Sequence, residues 1–282
     1  MGQELVRRYG QPPTPLWSTH VMMNQPDLVG VIHDDYFNSG AQVATTNTYA
    51  IHHDRLLKQD PALDKQFATL HHTACTIASR ARDKNGAGMI AGSIGPLGFS
   101  YRPDLHYVPE QAAELFSEIV KLHEPYVDVH LIETVSSIEH ARGAMMGAAL
   151  SAKPVWIAMS VMDDDGTRLR SGEPVSELES LVSEFSPAAV LINCSTPEAV
   201  SQALPMLAPM NLPFGAYANG FTFITSSFTQ TETVDQLEAR TDLSPDTYAG
   251  FCNKWVDQGA SIIGGCCEVG PAHIAELARR FN

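Results

Sequence analysis

Cys266 and Cys267 stand side by side in Ile263-Gly264-Gly265-Cys266-Cys267-Glu268, behind an apolar stretch. Two adjacent thiolates after paired glycines can grip one soft metal ion. A third thiol, Cys194, ends the comparable run Val190-Leu191-Ile192-Asn193-Cys194. Three sulfurs with one position left open describe a catalytic zinc site rather than a closed structural one. Adjacent residues of a straight strand point to opposite faces, so the pair shares a metal only where the backbone bends, and Gly264 and Gly265 are expected to permit that bend. A carboxylate, Glu133, closes the run Val129-His130-Leu131-Ile132, where a charge is costly unless it is used. It binds a ligand there, or it pairs with a basic side chain.

Short apolar runs alternate with longer amphipathic segments along the chain, the pattern of βα units on a parallel sheet. The runs predict strands over 43–48, 89–93, 127–133, 155–161, 188–194, 214–218 and 260–264. Between them, helices are expected over 26–38, 64–84, 109–122, 138–150, 175–185, 197–207, 245–258 and 271–280, several opened by Ser, Thr, Asp or Pro. Eight helices and seven strands suggest a (β/α)8 barrel of TIM type that lacks its first strand, the absent strand falling before the first helix. Residues 1–282 are read as a single barrel domain, incomplete at the N-terminus. In such a barrel the active-site face lies at the carboxyl ends of the strands, where Thr46-Asn47-Thr48-Tyr49, Ser93, Glu133-Thr134, Asn193-Cys194, Tyr217-Ala218-Asn219 and Cys266-Cys267 all fall.

A chain of 282 residues with 44% hydrophobic content can bury a substantial core, and no break in composition divides it. The net charge of -14 argues against nucleic acid as a partner. No run of apolar residues is long enough for a membrane span, so the expectation is a cytoplasmic protein. Five cysteines beside apolar strands fit reduced thiols better than a disulfide framework.

Together these residues resemble the homocysteine S-methyltransferase family, zinc-dependent enzymes that methylate homocysteine to methionine. The similarity runs through Leu16-Trp17-Ser18, Thr46-Asn47-Thr48-Tyr49, Gly92-Ser93-Ile94-Gly95-Pro96, Glu133-Thr134, Ser171-Gly172-Glu173, Ile192-Asn193-Cys194, Ile263-Gly264-Gly265-Cys266-Cys267 and Pro271-Ala272-His273-Ile274. The resemblance implies that Cys194, Cys266 and Cys267 ligate Zn2+ and that Glu133 binds the ammonium of homocysteine, with Thr134, Asn47, Ser93, Asn193 and Asn219 lining the substrate. It also implies a small onium methyl donor: S-methylmethionine, S-adenosylmethionine or betaine. Trp17, Tyr49 and Tyr217 are the aromatics near strand ends that could face such a cation. The betaine branch tends to carry Tyr after the glutamate. Thr134 stands here instead, which favours the sulfonium donors. The family's first strand ends in Asp-Gly-Gly just before a segment like Met1-Gly2-Gln3-Glu4-Leu5, and the sequence is expected to gain stability and activity from an upstream strand of that kind.

The chemistry expected is an in-line displacement on the methyl group by a thiolate that zinc keeps ionised, against an unperturbed thiol pKa of about 8.5. Two other readings compete: a non-catalytic zinc and homocysteine binder on the same scaffold, and a methyltransferase for another thiol or a selenol. Cys75 and Cys252, in helical segments, read as core residues. A Cys266–Cys267 disulfide is the disfavoured alternative to metal binding. His52-His53 and His71-His72 read as surface or cap residues, Asp163-Asp164-Asp165-Gly166 as a solvated turn, and the three asparagines alternatively as loop caps.

Overall fold

Continuous apolar runs such as Val129–Val135 and Ala189–Asn193, buried at every position, form strands covered on both faces, as parallel strands are. The computed structural model describes residues 1–225, 228–229 and 233–281. Its strands are β1 (Val43–Thr45), β2 (Met89–Ile94), β3 (Val129–Val135), β4 (Val155–Met159), β5 (Ala189–Asn193), β6 (Phe214–Tyr217) and β7 (Ile262–Ile263). They form one sheet in the order β1-β2-β3-β4-β5-β6-β7, every neighbouring pair parallel. All seven expected strands are present, and the sheet curls through them in chain order. β1 is three residues shorter than expected because the hydroxyls beyond it turn inward. Thr48 Oγ1 donates to the Ser93 carbonyl at 2.6 Å, and Thr46 Oγ1 accepts from Ser93 N at 3.0 Å.

Among the described residues no ladder joins β1 to β7. A cavity of about 570 Å³ lies between these two edges, lined from β1 by Val43, Ala44 and Thr45 and from β7 by Ile262 and Ile263.

Helices pack outside the sheet: α1 (Gly2–Tyr9), α2 (Trp17–Asn24), α3 (Pro26–Asn38), α4 (His53–Gln59), α5 (Pro61–Asp64), α6 (Phe67–Asn85), α7 (Pro109–His123), α8 (Ile138–Ala148), α9 (Leu178–Phe185), α10 (Pro197–Ala203), α11 (Pro245–Asp257) and α12 (Pro271–Phe281). Their starts are chemically marked. Ser137, Thr196 and Ser244 each accept a backbone N–H three residues on, at 3.1, 3.4 and 3.2 Å, and Pro197 and Pro245 open α10 and α11. α1, α2 and α4 are not expected from the sequence. Each is only seven or eight residues long, too short for a clear 3.6-residue period.

The two histidine pairs correct the sequence reading. His53 and His72 are partly or fully exposed, but His52 and His71 are buried at 1% and 0% exposure. His71 meets His123 across a 2.9 Å hydrogen bond from α6 to α7, and the His123 ring stacks on that of His130 in β3. Adjacency in sequence says only that one helix face cannot show both members of a pair. It does not say which face is core. Burial pushes the imidazoles of His33 and His71 down to about 3.

These depressed values set an acid limit on stability. Between the unfolded value near 6.5 and the folded value near 3, the unfolded chain binds protons that the native chain refuses. Stability is therefore full above the unfolded pKa and is lost as pH falls through this window, by about 1.4 kcal/mol per pH unit for each such histidine. Urea unfolding at pH 7 and pH 5 is expected to show this loss, with a smaller loss in His71→Gln. Equal stability at the two pH values would contradict it.

Candidate active site

Three sulfurs converge at the carboxyl ends of β5 and β7. Sγ atoms of Cys194, Cys266 and Cys267 lie within 4.8 Å of one another. Cys194 follows the last residue of β5 and takes a left-handed backbone, φ 47°, which turns it out of the strand. Its N–H donates to the Tyr217 carbonyl of β6 at 3.3 Å, and Cys266 N donates to the Ala218 carbonyl at 2.9 Å. Both thiols are thus hung on the end of the strand that separates them.

The glycines before the pair act differently from the expectation. Neither has a positive φ; the left-handed residue is Glu268, after the pair. Gly265 is required by close approach instead, because a Cβ there would sit 2.0 Å from Val269 Cγ1.

The expectation of reduced thiols is corrected at one place. Cys194 and Cys266 are joined as a disulfide, while Cys75, Cys252 and Cys267 are free. The Cα atoms of the joined pair are 5.8 Å apart, within reach of a sulfur–sulfur bond. The pairing is not the adjacent one, Cys266 with Cys267. Reduction by two electrons returns two thiols. Three thiolates around zinc would have sulfurs about 3.8 Å apart, from Zn–S bonds of about 2.3 Å in a tetrahedron, so the cluster could hold a metal ion with little movement. Cys75 and Cys252 are fully buried core residues, as expected.

Glu133, near the end of β3, is 7% exposed. The Ser93 hydroxyl donates to one of its oxygens, and Tyr217 OH donates to the other at 3.0 Å. No basic side chain pairs with it among the described residues. Burial raises its pKa above the usual carboxylate range, and the two hydroxyls pull it back in part. Thr134 beside it also has a left-handed backbone, φ 61°.

Trp17, Asn47, Tyr49, Ser93, Glu133, Thr134, Tyr217 and the three cysteines line one cavity of about 130 Å³. Trp17 and Tyr49 meet edge to face at 6.0 Å, and Tyr49 OH bonds Ser100 Oγ at 2.7 Å. Two expected lining residues are elsewhere. Asn193 is fully buried behind the wall. Its Oδ1 accepts from Thr134 N at 3.0 Å and its Nδ2 donates to Thr134 Oγ1 at 2.9 Å, which holds that residue in its left-handed conformation. Asn219 is a loop cap, its Oδ1 accepting from Phe221 N at 3.1 Å.

Further residues of the wall carry no motif. Phe99, Tyr101, Phe221 and Phe228 pack over Cys194, with Cys266 and Cys267 against the same cluster. Arg55 of α4 also lines the cavity. Asp163, expected in a solvated turn, has a side chain only 1% exposed. It pairs with Arg170 through contacts of 2.9 and 3.1 Å and accepts from Ile224 N at 3.1 Å. Arg170 lies over the Tyr101 ring at 4.8 Å and donates to Ser160 Oγ at 2.9 Å. The Val161–Leu169 bridge folds the segment back so that Arg170 reaches Asp163.

The family model described as homocysteine S-methyltransferase matches residues 1–281. The chain is 28% identical to the homocysteine S-methyltransferase of Escherichia coli (strain K12), over 99% of this chain and 93% of that one. It is 23% identical to the selenocysteine methyltransferase of Astragalus bisulcatus, over 96% of this chain and 87% of that one. The metallated form of the homocysteine methyltransferase MmuM from Escherichia coli shares the fold, with a TM-score of 0.82 at 24% identity, covering 99% of this chain and 94% of that one.

Proposed function

Because the chain belongs to the homocysteine S-methyltransferase family and is an enzyme that transfers a methyl group to homocysteine, we propose that it does so with zinc and a small sulfonium donor. The observation that carries this reading is the convergence of three cysteine sulfurs in a cavity whose one acidic side chain among the described residues is the buried Glu133. In the reduced protein Cys194, Cys266 and Cys267 hold the zinc. When bound, it supplies the Lewis acidity that keeps a substrate thiol ionised at neutral pH.

The chain's own residues bind and orient. Glu133, held by Ser93 and Tyr217, takes the ammonium of homocysteine and leaves the acceptor sulfur directed at the thiol cluster. Trp17, Tyr49 and Tyr217 offer ring faces to a positive donor, and Phe99, Tyr101 and Phe228 exclude water from the transferring methyl group. The methyl carbon exchanges its bond to the donor sulfonium for one to the acceptor sulfur. The donor leaves as a neutral thioether, and no proton moves at carbon. S-methylmethionine and S-adenosylmethionine are preferred to betaine on account of Thr134.

The finer fold reading belongs to the same proposal. The seam between β1 and β7 is the slot of one more parallel strand, supported by two edges without a ladder between them and the cavity that separates them.

A donor panel tests the function. Reduced, zinc-loaded protein with homocysteine is expected to make methionine from S-methylmethionine or S-adenosylmethionine faster than from betaine. Retention of zinc and homocysteine with no turnover on any donor would identify a binding protein instead. The likeness to a relative named selenocysteine methyltransferase supports a second acceptor, and competition between homocysteine and selenocysteine in the same assay ranks the two.

A further inference from the structure

Arg55 is a buried cation without an anion. It is 7% exposed, yet no carboxylate pairs with it among the described residues. Its one hydrogen bond there is from Nη2 to the Pro96 carbonyl at 2.8 Å, and its buried Nε has no partner. The neighbouring Asp54 is engaged elsewhere, accepting from the backbone N–H groups of Arg55 and Gly98 at 2.8 and 2.6 Å. The Tyr49 and Phe99 rings lie 5.7 and 5.4 Å from the guanidinium carbon and soften its burial without neutralising it. A guanidinium withdrawn from water and left unpaired is unfavourable, and arginine's planar fork matches a carboxylate in two-point contact.

Its position says where that carboxylate would come from. Among the described residues, Arg55 is the one basic side chain lining the cavity that holds the thiols and Glu133. It also lines an adjoining cleft of about 260 Å³. Among the described side chains that line it, the cavity therefore carries one acid and one base, the complement of an amino acid's own two charges.

We propose that Arg55 binds the carboxylate of an amino-acid substrate, resting on the functional reading above. Homocysteine and S-methylmethionine both carry such a group, and kinetics separates the two sources. In reduced, zinc-loaded protein, Arg55→Gln is expected to raise KM for one of them by about tenfold to a hundredfold, with a much smaller change in kcat. Arg55→Lys should recover part of the loss.

If the carboxylate is the donor's, the penalty shrinks at saturating homocysteine when trimethylsulfonium, which has no carboxylate, replaces S-methylmethionine. If it is homocysteine's, KM for homocysteine rises with either donor. Thermal unfolding of the substrate-free variant adds a reading that a structural role would reverse: removing an unpaired buried cation should leave Tm unchanged or raise it. Unchanged KM for both substrates, or a lowered Tm with equal losses on both donors, would overturn the proposal. Absence of methyl transfer by the unsubstituted protein is a failure of the functional reading alone. Arg55 is then judged by calorimetric binding of homocysteine and of S-methylmethionine, and unchanged affinities in Arg55→Gln would overturn it.

Discussion

In reduced protein, Cys266→Ser and Cys267→Ser are each expected to lose the bound zinc and to lower methyl transfer by about a thousandfold or more. The size follows from forfeiting several kcal/mol of Lewis-acid stabilisation, at about 1.4 kcal/mol for each factor of ten. Metal analysis after dialysis, beside turnover, is the measurement. The same analysis on unsubstituted protein should find about one zinc per chain with reductant and much less after oxidation, because the Cys194–Cys266 disulfide removes two of the three ligands. Full zinc retention in both serine variants would refute the site as drawn.

Glu133→Gln is expected to keep its zinc while homocysteine affinity falls by roughly tenfold, since an ion-paired hydrogen bond of the kind worth about 1.5–3 kcal/mol is replaced by one about half as strong to a neutral oxygen. The amide is close in shape to the carboxylate, so the cavity should keep its form. Isothermal titration with homocysteine reads the affinity, and metal analysis reads the zinc. Lost zinc with unchanged affinity would mean that Glu133 supports the metal rather than the substrate. The raised pKa of Glu133 adds a pH signature: because the ionised form is needed to hold the ammonium, binding should weaken from the acid side at a pH above the ordinary glutamate value.

Where the chain announces its chemistry, it does so at strand ends. The apolar runs that end in Cys194 and Glu133 are short and buried at nearly every position, and the one before Cys266 is short and half-buried, so composition alone locates them, and all seven strands follow. What stays illegible depends on partners brought in by a local fold-back or from far along the chain. Nothing near Asp163 reveals Arg170 and Ile224 as its partners, and a run of three aspartates reads as solvent-facing until the Val161–Leu169 bridge is known. Arg55 sits in Asp54-Arg55-Leu56-Leu57-Lys58, an ordinary amphipathic pattern in which an arginine belongs outside. Only the closure of α4 over the cavity buries it. Asn193 shows the opposite case: correctly placed at a strand end, its side chain is spent on Thr134 rather than on the cavity.

Cys194 and Cys266 are 72 residues apart in sequence, and the segment between them contains α10, β6, α11 and β7. A disulfide linking them closes a loop of that length in the unfolded chain as well as in the native one, whereas a shared ion would close it in the native chain and add its binding energy there. The entropy removed from the unfolded ensemble corresponds to about 4 kcal/mol at 25 °C in the chain-entropy account. That is a large fraction of the roughly 5–15 kcal/mol by which domains are commonly stable. The last third of the barrel is therefore held in place by the chemical state of its own reaction centre. Reduced protein without metal, lacking either closure, is the form in which this region should open first and proteases should cut earliest.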